Sequence, residues 1–216
     1  GRLAVPYRQY ALDTNLDCIL FMKNLFFTIL CLFVINVNTN ADKVLSPKEI
    51  LDRTSALMRE SGGVRAKFMF TTYKGTTPQN SFSGTIDILG NKYVMHTTGM
   101  STWFNGKDQW SMIVANKEVT LVSPTPDELQ VSSPLAFLDI YKTGFNLTSS
   151  KAMLRGRKIW NITMKPVKSN QDISEIMVSI DQYTFAPMCI IIKFLDDWTR
   201  ISISNLQTGV GFDEMH

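Results

Sequence analysis

The chain has 216 residues, 44% hydrophobic and 19% charged, with a formal net charge of +3. That balance excludes a disordered chain and gives no charge excess of the kind that holds nucleic acid or an anionic surface. Two histidines and three cysteines are too few for the usual metal sites or for a disulfide framework.

The chain opens on Gly1, and residues 1–21 read as an upstream or non-native extension. From Met22, "MKNLFFTILCLFVINVNTNADK" has a basic start at Lys23, an apolar stretch from Leu25 to Val37, and small or polar residues before Ala41. Residues 22–41 therefore read as a secretory signal peptide cut after Ala41, which implies export. The apolar run is about 13 residues, whereas a membrane-spanning helix needs about 20. Cys31 lies inside that run with Leu30 before it, so it is not a lipidation site. Cleavage removes three basic residues (Arg2, Arg8, Lys23) and two acidic ones (Asp13, Asp17), leaving a charge of +2 and Cys189 as the sole thiol. Stability must then come from an apolar core. Residues 42–216 form a single expected domain, cut short at its C-terminal end, where one more strand is anticipated.

"SPKEILDRTSALMRESGG" predicts an amphipathic helix. Ser46 is the N-cap, Pro47 takes the first position, and Glu49 completes a capping box. Ile50, Leu51, Thr54, Leu57 and Met58 fall on one face, and Gly62-Gly63 ends the run. The period then changes to two. "VRAKFMFTTYK" sets Ala66, Phe68 and Phe70 on one side, "SFSGTIDILG" sets Phe82, Ile86 and Ile88, and "NKYVMHTT" sets Tyr93, Met95 and Thr97. Asn105-Gly106 marks a hairpin between Trp103 and Trp110. In "DQWSMIVA", Trp110, Met112 and Val114 share a face, expected to point inward, with Trp103 on the rim. "EVTLVS" completes six runs of an antiparallel meander.

A loop rich in Pro and Ser follows, then a short helix with Leu135, Phe137, Leu138 and Tyr141 mostly on one side, ending at Gly144. Strands resume at "RKIWNITMKPV", "ISEIMVSIDQ", "PMCIIIKFLD" and "WTRISISNL", linked by polar turns at Lys168 to Asp172, Asp181 to Pro187 and Asp196-Asp197. This totals nine or ten strands and two helices. The fold class is mainly β with helices (α+β).

Few residues suit catalysis. No G-x-S-x-G, phosphate loop, H-E-x-x-H or C-x-x-C is present. A Cys189–His96 pair is the one nucleophilic arrangement on offer. Its apolar run instead favours a buried structural thiol, and His96 reads as solvent-facing. Asp196-Asp197 would point to opposite faces of an extended chain, so they read as a turn and not as an acid–base pair. Lys92 and Lys107 read as ordinary surface charge. Asn146 and Asn161 match the glycosylation sequon, a loose pattern relevant only to a eukaryotic chain. No enzyme, metal or cofactor is expected. What remains is apolar surface, with 11 methionines suited to irregular guests.

The order of motifs resembles the periplasmic outer-membrane lipoprotein carrier family (LolA-like). The resemblance runs from about Leu45 to Leu206 through "RAKFMFTTY", "FSGTIDI", "WFNGKDQWSMIVANKEVTLV", "SSPLAFLDIYKTGFNL", "SNQDISEIMVSID" and "APMCIIIKFLDDWTRISISNL". Its strongest piece is the Asn105-Gly106-Lys107 turn, standing for the family's Asp-Gly-Lys, followed in order by the Ser-Pro-Leu helix. The resemblance implies a half-open antiparallel β-barrel, covered on its concave side by the N-terminal helix and a short lid helix. It implies an apolar cavity for the acyl chains of lipidated protein cargo, which a monomeric carrier ferries from inner to outer membrane. An inner-membrane lipoprotein release complex and an outer-membrane receptor are the implied partners. The implied acyl-chain-binding residues are Leu51, Met58, Phe68, Phe70, Ile86, Ile88, Tyr93, Met95, Trp110, Met112, Leu135, Phe137 and Leu138. Where several family members carry an Arg-Pro pair whose Arg latches the lid, this chain has Gly90-Asn91-Lys92. A sensor of mislocalised lipoproteins with the same fold, and a lipid hydrolase using Asp or Cys189, are the alternatives.

Overall fold

The computed structural model describes residues 44–125, 128–129, 135, 137–168, 173–194 and 197–212, with Phe137 described by its backbone only. The signal peptide, the extension before it, the turn at 169–172, Asp196 and His216 lie outside the described residues. Helix α1 (Pro47–Glu60) forms where its capping box predicts it: the Glu49 N–H donates to Ser46 Oγ at 3.2 Å, and the Ser46 N–H to Glu49 Oε2 at 2.8 Å. Its buried face carries Ile50, Leu51, Thr54, Ser55 and Met58. The helix ends at Gly62-Gly63, both at positive φ. At Gly63 a side chain would collide with the carbonyl of Val210, so only glycine lets the last stretch of chain pass.

Among the described residues eleven strands follow, and the short helix named below lies among them. They are β1 (Val64–Lys74), β2 (Thr77–Leu89), β3 (Lys92–Thr97), β4 (Met100–Phe104), β5 (Gln109–Ile113), β6 (Glu118–Val122), β7 (Phe145–Leu154), β8 (Arg157–Pro166), β9 (Glu175–Asp181), β10 (Pro187–Lys193) and β11 (Asp197–Thr208). The single turn of α2 (Phe137–Ile140) lies between β6 and β7. All form one antiparallel sheet in the order β6-β5-β4-β3-β2-β1-β11-β10-β9-β8-β7. Two meanders are thus joined where the first strand pairs with the last, and the edges β6 and β7 do not meet. The result is the half-open barrel that the family resemblance implies.

Strand β7, "FNLTSSKAML", is the one absent from the sequence reading. It pairs with β8 along its whole length, Phe145 opposite Pro166 and Leu154 opposite Arg157. As an edge strand it is mostly exposed, so it needs no apolar alternation to announce it.

Two buried clusters set which face is inside. Ile50 and Leu51 of α1 pack with Ile162 and Met164 of β8, Ile176, Val178 and Ile180 of β9, Ile190 of β10, and Tyr141. Met58 packs with Val64, Ile88, Tyr93, Phe104, Leu135 and Leu138. Helix α1 therefore lies over both meanders on the concave side. Removing Ile50, Leu51 and Met58 from water contributes roughly 1.5–3 kcal/mol each.

The register corrects one expectation. Ile88, Tyr93, Phe104, Gln109 and Val122 are successive cross-strand partners, and Tyr93 and Phe104 belong to the core. Neighbouring residues alternate faces, so the adjacent row of Val94, Trp103, Trp110 and Leu121 points the other way. Trp110 and Met112 are consequently on the convex face and not inward, and Val114 follows β5 as an exposed residue. The hairpin explains the parity. Four residues, Asn105 to Asp108, form its loop, with Asn105 Oδ1 accepting from the N–H groups of Lys107 (2.9 Å) and Asp108 (2.8 Å). That closure sets Trp103 directly opposite Trp110.

Candidate functional site

On the concave side, away from α1, the sheet presents an apolar trough. Phe68 and Phe70 continue the inward row of Val64 and Ala66 along β1. Phe68 is opposite Ile203 of β11 and Gly84 of β2, and Phe70 is opposite Ile201 and Phe82. Ile86 pairs with Met95 of β3. Phe82 stacks on Phe70 at 4.8 Å between centroids and meets Phe68 edge-on at 6.2 Å. Even so, Phe82 stays 45% exposed, while Phe68, Phe70, Ile86, Met95, Ile201 and Ile203 are only partly buried. An aromatic cluster on the hollow side of a curved sheet, left open to this degree, is a surface suited to a flexible apolar guest.

Glycine builds the floor. A β-carbon at Gly84 would come 2.8 Å from the Phe68 ring and collide with the carbonyl of His96. Its absence lets the ring lie flat across β2 and lets β3 approach.

Twelve of the thirteen anticipated residues divide into three groups. Phe68, Phe70, Ile86 and Met95 line the open trough. Leu51, Met58, Ile88, Tyr93, Leu135 and Leu138 are sealed in the clusters beneath α1 and α2. Trp110 and Met112 are on the opposite face, and the side chain of Phe137 lies outside the description. Phe82, Ile201 and Ile203 complete the trough. Phe82 shares the alternation of Ile86 and Ile88, and the two isoleucines that of "WTRISISNL", but only the β1–β11 pairing brings the latter beside Phe68 and Phe70.

Helix α2 is tied to α1 by polar contacts. Arg59 pairs with Asp139, which Lys142 of the same turn also meets at 2.6 Å, and the Tyr141 hydroxyl donates to Asp52 Oδ1 at 2.7 Å. Lys48 holds the other oxygen of Asp52 at 2.8 Å and lowers its carboxyl below the ordinary range. Burial pushes the Tyr141 phenol up, and its bond to Asp52 adds to the rise. The Tyr93 phenol, raised to about 12 by burial, donates to Gln109 at 2.9 Å. Breaking the α1–α2 ties is expected to loosen α2 without unfolding the sheet. Asp52→Ala, which orphans the buried Tyr141 hydroxyl, should cost about 1–2 kcal/mol. Arg59→Ala, at a half-exposed pair, should cost about 0.5 kcal/mol. Amide exchange at 137–141 should speed up while β8–β10 stay protected; equal acceleration in both places would contradict local opening.

The nucleophile candidates are not brought together. Cys189 is a buried free thiol, raised by burial, on β10. His96 is on β3, and β2, β1 and β11 stand between the two strands. His96 Nδ1 is instead within 2.9 Å of Ser101 Oγ, with its ring edge-on to Trp103 on the convex face. No carboxylate is hydrogen-bonded to His96 among the described residues. No group of three or more His, Cys, Asp or Glu able to hold a metal occurs among them either. Asn161 accepts from Ser179 Oγ at 2.7 Å. No described helix is long and apolar enough to cross a membrane.

Residues 37–195 match the model of a family described as outer membrane lipoprotein carrier protein LolA. No curated protein matches the chain by sequence. Among solved structures, an uncharacterized conserved protein from Thermus thermophilus is 10% identical with a TM-score of 0.53, covering 76% of this chain and 88% of its own. That likeness supports the fold. A putative outer membrane lipoprotein-sorting protein domain from Vibrio parahaemolyticus is 12% identical over 78% of this chain and 96% of its own, with a TM-score of 0.42. Lipoprotein LppX of Mycobacterium tuberculosis is 16% identical over 74% and 91%, with a TM-score of 0.45.

Proposed function

The chain belongs to the outer membrane lipoprotein carrier protein LolA family, and on that premise we propose that it is a periplasmic, non-enzymatic carrier of lipidated proteins. It takes the acyl chains of its cargo into the concave trough, shields them from water, and releases them at the outer membrane. The observation that carries this reading is the half-exposed aromatic cluster of Phe68, Phe70 and Phe82 on the helix-covered side of an open sheet.

The energetics explain why a carrier is needed and why its grip is incomplete. Each methylene taken out of water is worth about 0.8 kcal/mol, so a sixteen-carbon chain is worth on the order of 12 kcal/mol. A lipoprotein bearing two or three such chains does not leave a membrane unaided. A trough that stays partly open recovers only part of that energy, so the cargo can be passed on. Cargo would arrive from an inner-membrane release complex and leave to an outer-membrane receptor or the membrane itself.

Protein exported with its cargo should carry diacylated lipoprotein or lipid detectable by native mass spectrometry. The delipidated protein should bind a diacylated lipopeptide. Phe82→Asp, at an exposed position, should weaken that binding at least tenfold while leaving the thermal midpoint within a few degrees. Cys189→Ala with His96→Ala should leave it unchanged. Absence of bound acyl chains, together with no protection of a lipopeptide from water, would remove the carrier reading.

A further inference from the structure

The inward face of the sheet changes character along the strands. On β1 the inward row passes from Phe68 and Phe70 to Thr72 and Lys74; on β11 it passes from Ile201 to Thr199 and Asp197, their direct partners. Asn80 of β2 donates its N–H to Thr72 Oγ1 at 3.2 Å. Phe194 follows Ile192 on the same side, held by its N–H on the carbonyl of Asp197 at 2.8 Å. Beyond the last trough residues, Thr72, Lys74, Asn80, Phe194, Asp197 and Thr199, joined by Gln79 and the stacked Tyr73–Trp198 pair, line an open cleft of about 580 Å³. That size falls within the range of small-molecule sites.

The polar side chains of Lys74, Asn80, Asp197 and Thr199 have no hydrogen-bond or ion-pair partner among the described residues. Thr199 is only 7% exposed, yet its hydroxyl is not sealed from solvent. Unpaired donors and acceptors gathered in one concavity, at the end of an apolar trough, match a ligand that is itself apolar for most of its length and polar at one end.

We infer that this cleft is the head-group subsite of the carrier, and that it selects an uncharged head of ester, amide and hydroxyl groups over an anionic phosphate. The inference rests on the carrier reading and deepens it. Lys74 and Asp197 are cross-strand partners and contribute one charge of each sign, so an anion entering the cleft meets attraction and repulsion together. It also gives up its hydration. An amide or ester loses less water and finds both kinds of partner: ammonium and carboxamide N–H groups for its carbonyls, and carboxylate, hydroxyl and carboxamide oxygens for its N–H and O–H groups. The chemistry fits the acylated glyceryl-cysteine amide at the start of a lipoprotein.

The experiment uses the delipidated exported protein and a headless apolar probe, N-phenyl-1-naphthylamine, to report trough occupancy by fluorescence. Two competitors share the same acyl chains: an N-acetylated dioctanoylglyceryl-cysteine amide and dioctanoyl phosphatidylglycerol. The cysteine amide is expected to compete about tenfold better, the discrimination equivalent to one to two net hydrogen bonds. Asn80→Ala and Thr199→Val should each weaken it about threefold with probe affinity unchanged, and Asp197→Asn should improve phosphatidylglycerol several-fold. Equal affinity for the two competitors, or cleft variants that shift probe and competitors together, would overturn the head-group assignment while leaving the carrier reading intact. Failure of the probe and both competitors to bind at all would overturn the carrier reading and this inference with it.

Discussion

Asp181→Ala is expected to lower stability by about 3 kcal/mol, roughly 6–12 °C in the thermal midpoint of a domain this size. Asp181 ends β9, and its side chain is 2% exposed. One oxygen accepts from the Tyr183 N–H and the Thr184 N–H, both at 2.9 Å, and from Thr184 Oγ1 at 3.0 Å; the other is paired with Arg157 of β8. The carboxylate therefore fixes the β9–β10 turn and ties it to the neighbouring strand. That turn also reaches α1: Thr54 donates to the carbonyl of Phe185 at 3.0 Å, and the Arg53 guanidinium lies 4.9 Å above the Phe185 ring. Alanine leaves these donors without an acceptor in a buried place, which is why the loss exceeds that of a surface ion pair.

The same residue predicts a pH dependence with a definite sign. Burial pushes the Asp181 carboxyl up, but the bonds from Arg157, Thr184 and Tyr183 prevail and hold it at about 2, below the ordinary 3.8. A depressed carboxylate stabilises the fold above its unfolded value and loses that contribution as pH falls through the folded one. About 2 kcal/mol should vanish between pH ~4.5 and ~2. Chemical denaturation across that window should show a shallower slope for Asp181→Asn than for the native chain. Parallel curves would assign the acid sensitivity elsewhere, with Glu175 and Asp52, both also lowered, the next to test.

Gly84→Val is the second large effect expected, about 3 kcal/mol, with Gly84→Ala at about 2 kcal/mol. Any β-carbon there meets the His96 carbonyl, which is backbone and cannot swing aside, and the Phe68 ring on the other side. The strands β2 and β3 must part, or Phe68 must rise into the trough. Acyl uptake should therefore fall along with stability. Gly99→Ala serves as the comparison, because its added methyl meets nothing within 4 Å; it should be neutral within about 0.5 kcal/mol. If the two alanine variants were equally harmless, the close approach of β2 and β3 would not be a requirement of the fold. Replacing Phe68 with leucine in the Gly84→Ala background should recover part of the loss, since the two sites are coupled through contact.

Much of the architecture was legible in the chain because its signals are local. A capping box acts over four residues, and Ser46 to Glu49 was enough to start α1. Alternation acts over two residues, and it located β1 to β3 and β8 to β11. The short α2 was anticipated through Leu135, Leu138 and Tyr141, all of which are buried. Strand β7 was not, because an edge strand with a polar run such as Thr148 to Lys151 carries no apolar period. The latch of Arg59 and Asp139, and that of Asp52 and Tyr141, join residues 80 and 89 positions apart, and nothing near either partner announces the other.

The sequence by itself determined where the strands and α1 are, which residues within each strand share a face, and the family to which the chain belongs. Only the tertiary structure decided which of the two faces is the inside. Alternation gives parity without sign: Trp110 and Met112 were rightly placed together and wrongly aimed inward, while Val114 lies in the turn beyond β5. The sign is set by where α1 packs, which puts Tyr93 and Phe104 in the core with Met58, and the four-residue closure at Asn105 then carries Trp110 to the convex side opposite Trp103. The trough likewise exists only because β1 pairs with β11 across more than a hundred residues of chain. That contact joins Phe68 and Phe70 to Ile201 and Ile203, and its cause is burial shared between two meanders, which neither segment encodes alone.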